Sequence, residues 1–170
     1  MPIVSILTFF ATGIFIVLVG LFIYLSFYNR RTKTITDRFI EQANKLKPTV
    51  FKNIKLRFWR TSGLKNYVYP NNCCDLYLFD NCLAIVRRQN FIFKVFFNPI
   101  LLTSNTTTTK NIFNYLDTYH PNKIIFKQII KGELDIKLTD LLYNHYKIGI
   151  TLKGLTNEQI DQLEKIKKWI

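Results

Sequence analysis

The sequence is short of the residues from which catalytic and metal sites are built. Its 170 residues include two histidines, three cysteines and six glycines. His120 and His145 stand alone, outside any HxxxH or HxxE spacing, and Cys73, Cys74 and Cys82 lack the paired C-x2-C ligands of a zinc site. So few glycines leave little room for a phosphate-cradling loop, and no nucleophile lies beside a candidate base. The pattern points away from an enzyme and calls for neither cofactor nor metal. An odd, unevenly spaced cysteine set is also unlike the disulfide framework of an oxidising compartment, and reads as reduced thiols.

Acid is scarce too: 11 Asp and Glu against 24 Lys and Arg, for a formal charge of +13. The most conspicuous lack is local, because the first 29 residues carry no charged side chain. Within them, residues 3–28 form an apolar run in which 17 of 26 positions are Ile, Leu, Val or Phe. As a helix this run is about 39 Å long, against a hydrocarbon core of about 30 Å. A cleaved signal peptide would need a basic start, a shorter apolar run and a small-x-small cleavage site, and a buried core helix would need a polar face. The run has none of these and reads as a transmembrane anchor over residues 1–29. Tyr24 and Tyr28 fall near its end, where amphipathic aromatics favour the headgroup level. Gly13 and Gly20 share a face, but two glycines in such a span are usually incidental.

The flanks set an expected orientation. No Lys or Arg precedes the run, whereas Arg30, Arg31, Lys33, Arg38, Lys45 and Lys47 follow closely. By the positive-inside rule the amino terminus faces out and everything after Tyr28 is cytoplasmic, in a single-pass protein of the cell (inner) membrane. The Asn105-Thr106-Thr107 sequon is then a plain Thr-rich loop. Over residues 30–65 there are eleven basic and two acidic residues. Such a block suits a negative lipid surface, nucleic acid or a bare topology signal. Without an aromatic-lined groove or a reading helix, nucleic acid is the least favoured. The candidate anionic-lipid contacts are Arg30, Arg31, Lys33, Arg38, Lys52, Lys55, Arg57 and Arg60, with Tyr24 and Tyr28 as interface anchors.

Residues 30–48 form a basic juxtamembrane segment. Ile35, Phe39, Ala43 and Leu46 recur at helical spacing, Thr34 with Asp37 suggests a weak cap, and Pro48 ends the helix. This helix either continues the anchor or lies on the membrane; packing against the following domain is the preferred reading. From Asn53 the period becomes two, with Ile54, Leu56 and Phe58 alternating with Lys55, Arg57 and Trp59. Residues 75–87 read as a hairpin turning at Asp80-Asn81, and residues 91–97 as a strand. Pro99 confines residues 100–103 to an edge or a separate bend. A long connection follows, with a short helix expected over residues 112–116. Residues 123–130, 133–138 and 147–152 read as three more strands. A closing helix starts at Thr156, with Gln159 completing a capping box, Leu155 and Ile160 placed as a hydrophobic staple, and Ile160, Leu163, Ile166 and Ile170 as its apolar stripe.

Four strands, three strands and a final amphipathic helix resemble the pleckstrin-homology-like domains of bacteria. The resemblance is carried by the hairpin DLYLFDNCLAIVRR and the ending KIGITLKGLTNEQIDQLEKIKKWI, and places the domain over residues 49–170. It implies an α+β fold: a partly open barrel of two antiparallel sheets, capped by the last helix. Lys55 and Arg57 would lie where some pleckstrin-homology domains hold inositol phosphates. The expected role is a non-catalytic, membrane-tethered scaffold that recruits a protein partner. The competing reading is an accessory subunit of an integral-membrane complex, with the span as its working surface.

Overall fold

The computed structural model describes residues 3–62, 65–90, 94–103, 112–119, 121–140 and 146–165. One helix, α1 (Ile3–Lys45), runs without a break from the apolar run into the rest of the protein. At about 1.5 Å per residue its 43 residues reach about 65 Å. The expected cap at Thr34 is absent for that reason: the Thr34 hydroxyl donates to the Arg30 carbonyl at 3.1 Å, within the helix. The helix stops where Lys47 adopts a left-handed backbone (φ 49°) and Pro48 follows. A lysine there costs on the order of 1–2 kcal/mol, offset by turn bonds from the Leu46 and Lys47 amides.

Among the described residues, nine strands follow: β1 (Thr49–Ser62), β2 (Lys65–Leu78), β3 (Cys82–Asn90), β4 (Lys94–Phe96), β5 (Ile100–Thr103), β6 (Asp117–Tyr119), β7 (Pro121–Gln128), β8 (Glu133–Asp140) and β9 (Tyr146–Lys153). The order is β6-β5-β3-β2-β1-β9-β8-β7, with β4 beside β3. All pairs are antiparallel except β5 with β6. The two expected groups of strands thus belong to one large mixed sheet, because the long β1 pairs with β2 on one side and β9 on the other. Helix α2 (Asn157–Glu164) completes the chain's α+β architecture, and its capping box at Thr156 and Gln159 is present.

Two irregularities interrupt the β1–β2 ladder, the first a bulge in β1 and the second in β2. Between Phe51 and Ile54 the strand has two residues where β2 has only Asp75. Phe51 and Ile54, three apart, therefore both face the main core. Asn53 takes the left-handed conformation (φ 59°) that this needs, and its amide donates to Asp75 Oδ1 at 2.8 Å. Further on, Arg57 faces Pro70 and Asn71 together, so the proline, which has no N–H to give, falls at an irregularity in the ladder.

Each face of the sheet carries a core over part of its area. On one, Leu56, Leu76, Ile85, Leu102, Ile136 and Ile150 pack with Ile160 and Leu163 of α2. On the other, Phe39 and Ala43 of α1 pack with Tyr77, Ala84, Val86, Leu101, Phe113 and Leu116. This second core corrects the reading of residues 100–103 as an edge or bend. Strand β5 is buried throughout between β3 and β6, and Pro99 precedes it, so no ladder bond is lost. Residues 113–116 are likewise a turn, with the Leu116 amide on the Phe113 carbonyl at 3.1 Å, since Phe113 and Leu116 are drawn into that core. The sequon at Asn105 and the stripe positions Ile166 and Ile170 lie outside the described residues.

Candidate interaction surfaces

The candidate basic contacts divide four ways. Arg30, Arg31 and Lys33 are exposed on the first turns of α1 beyond the apolar run, beside Tyr24 and Tyr28, which are exposed as well. Arg38 is also exposed, but its guanidinium sits 4.6 Å over the ring of Tyr115, which ties it to the domain. The Tyr115 hydroxyl donates to Gln42 Oε1 at 2.6 Å, and burial pushes its pKa above the usual tyrosine value while Arg38 opposes the shift.

Lys55 and Arg57 are exposed on β1, as the alternation requires, and Lys52 is exposed at the first bulge. Their surroundings are mixed in charge. Lys55 stands opposite Lys153 of β9, which pairs with Glu133 at 2.6 Å. Arg57 stands opposite Thr151, whose hydroxyl donates to Asp135 at 2.8 Å. Trp59, the next outward residue, lies over Gly149, where any Cβ would overlap the indole. Arg60 does not share this face: it is half-buried, opposite the core residue Ile148.

Contact between α1 and the sheet begins at the first residue after the run. Asn29 Oδ1 accepts the Phe96 amide of β4 at 3.0 Å. Thr32 and Thr36 are then buried, with their hydroxyls satisfied by carbonyls three or four residues back, so that small side chains allow close approach without stranding a polar group. Phe39 meets Tyr77 edge-on at 5.2 Å and Phe113 at 5.1 Å.

At the far end of α1 the chain forms a groove of about 400 Å³. Leu46, Lys47 and Pro48 line one side, Phe79, Asp80 and Asn81 another, and Ile112 closes it. Leu46 is 47% exposed and Ile112 41%, so apolar side chains share the groove with the Lys47 cation and the Asp80 carboxylate. Sequence reasoning missed this groove, because its walls come from three separated segments.

The outer face also holds a polar cluster. Asp75 pairs with Arg88 at 2.9 Å, Arg88 also donates to Asn53 Oδ1, and the whole clamps the first bulge. Burial, then the Asp75 charge, raises the Tyr77 pKa and pushes that of Cys74 far above the ordinary thiol value. Cys74 and Cys82 are buried, and Cys73 is half-buried. Among the described residues, no group of three His, Cys, Asp or Glu could hold a metal ion.

The first part of α1 is long and apolar enough to cross a membrane, with mean hydropathy 2.4 and none of that stretch buried against the domain. No protein-family model matches the chain, and no curated protein matches its sequence.

Proposed function

We propose that this is a single-pass protein of the cell membrane whose sheet domain, on the cytoplasmic side, recruits a protein partner without catalysing a reaction. The observation that carries the reading is the unbroken α1. It extends from a run fit for a bilayer directly into the second core, and ends at an exposed groove lined by both apolar and charged side chains. A helix built only to anchor would not need to present such a groove about 24 Å beyond Asn29. The strand order, with β1 shared by both halves and α2 packed on the core face, supports the pleckstrin-homology-like reading. The exposed Arg30, Arg31 and Lys33 favour both the cytoplasmic orientation and contact with anionic lipid.

A photo-crosslinking amino acid at Ile112, in native membranes, should join the chain to a discrete partner, and Leu46→Asp should abolish the adduct. The same probe at the exposed Asp161 of α2 serves as the background. Adducts from Ile14 of the span, with none from Ile112, would favour the accessory-subunit reading instead. That alternative draws on the hollow between Phe9, Phe10, Gly13, Ile14, Val17 and Leu18 on the span.

Orientation has its own check. Burial withdraws Cys74 and Cys82 from reaction, so Cys73 is the thiol that reports. In intact cells a membrane-impermeant maleimide should leave the chain unlabelled, and permeabilisation should permit labelling that Cys73→Ser removes. Labelling before permeabilisation would place the domain outside.

A further inference from the structure

The end of the sheet opposite the groove has an unusual strand. In a packed sheet, consecutive residues point to opposite faces and at least one face is covered. In the first half of β2, Tyr67 is 47% exposed and the next residue, Val68, is 59% exposed. Neither face of the strand is covered there. Among the described residues β3 pairs with β2 only from Cys73 on, whereas β1 stays paired with β9 as far as Ser62, so the arm is the β2 edge of the β1–β2 pair, with Tyr67 exposed on one face and Val68 on the other.

The register shows where the arm goes. Helix α1 touches the sheet at two levels: Phe39 against Tyr77 of β2, and Asn29 against Phe96 of β4. Phe96 pairs with Arg88, and Arg88 pairs with Cys73 of β2. Moving from Phe39 to Asn29 covers about 15 Å along the helix. Moving from Tyr77 to Cys73 covers about 13 Å along the strand. Phe96 also lies two strands, about 10 Å, to the side of Cys73, so helix and strand cross at about 35°, and β2 followed backwards still descends towards the apolar run. From Cys73 to Val68 is about 17 Å more. Sheet twist shortens that projection. The apolar run, about 9 Å longer than a hydrocarbon core, sets the headgroup zone just before Asn29, so only part of the 17 Å is needed to reach it.

We propose that the β1–β2 arm is a second foothold on the bilayer, seating Tyr67 and Val68 in its headgroup zone. The inference rests on α1 crossing a membrane. The occupant is lipid because the arm continues the surface that the span already commits to the bilayer. Tyrosine beside a bare aliphatic residue suits that boundary, as Tyr24 and Tyr28 do on the helix. Across the arm from Val68 stands Trp59, and across from Tyr67 stands Arg60, which adds an aromatic and a cation at the same depth. The groove, at the other end of β2, then faces away from the membrane.

The test uses the full chain carrying Cys73→Ser, reconstituted into vesicles of phosphatidylcholine and phosphatidylglycerol. A nitroxide is attached in turn at V68C, at Y67C, at D80C on the opposite end of β2, and at F15C in the span. Collision with oxygen and with a water-soluble nickel chelate reports depth. F15C should be oxygen-rich and closed to nickel, and D80C open to nickel. V68C should show nickel accessibility several-fold below D80C, and Y67C gives a second reading should V68C disturb the strand. If both arm labels match D80C while F15C stays buried, the foothold is wrong and the span stands. If F15C is itself open to nickel, the span reading fails and the foothold with it.

Discussion

Replacing Phe39 with alanine should detach α1 from the sheet. The ring is fully buried between Tyr77 and Phe113, and removing such a side chain costs about 3–5 kcal/mol through lost transfer energy and the cavity left behind. A domain of this size holds about 5–15 kcal/mol in all. In detergent, the full chain carrying F39A should melt on the order of 10 °C below the parent by near-ultraviolet circular dichroism. Phe39→Leu, which refills most of the space, should recover much of the loss. An unchanged midpoint for F39A would mean that the helix merely lies beside the sheet.

Ending the chain after Leu155 should be still more damaging. The deletion removes Ile160 and Leu163, both buried in the main core with Leu134, Ile136 and Leu152. Each such side chain contributes about 1.5–3 kcal/mol by leaving water, and the truncation also bares the strands beneath them. The shortened chain should lose its cooperative transition and bind a dye specific for exposed apolar surface. A sharp transition at the parental temperature would show that α2 lies outside the cooperative unit.

How much of this was readable in advance depended on whether the signal was local. The apolar run, the Asp80-Asn81 hairpin and the Thr156 capping box are each written in consecutive residues, and each is found where expected. The opening of β1, residues 49–52, was missed because the bulge at Lys52 and Asn53 breaks the period of two. At Tyr67 and Val68 of β2 no alternation shows, since both are exposed, and Pro70 argues against a strand unless the register irregularity is known. β5 hides for the opposite reason: a strand buried on both faces is a short apolar run with no period at all. Of the candidate surfaces, Arg30, Arg31 and Lys33 follow directly from their place after the run. The mixed charge around Lys55 and Arg57 depends on pairing with β8 and β9, and the inward turn of Arg60 on the core opposite it.

The continuity of α1 gives the protein the mechanics of a lever. Because the ladder is unbroken from Ile3 to Lys45 and the sheet is fastened from Asn29 onward, a change in span tilt is carried into the domain as rotation. A swing of about 10°, well within the range of tilts that spans adopt, displaces the groove about 24 Å away by about 4 Å. In the proposed membrane arrangement, a mismatch with bilayer thickness that is relieved by tilting is thereby converted into a displacement of the groove.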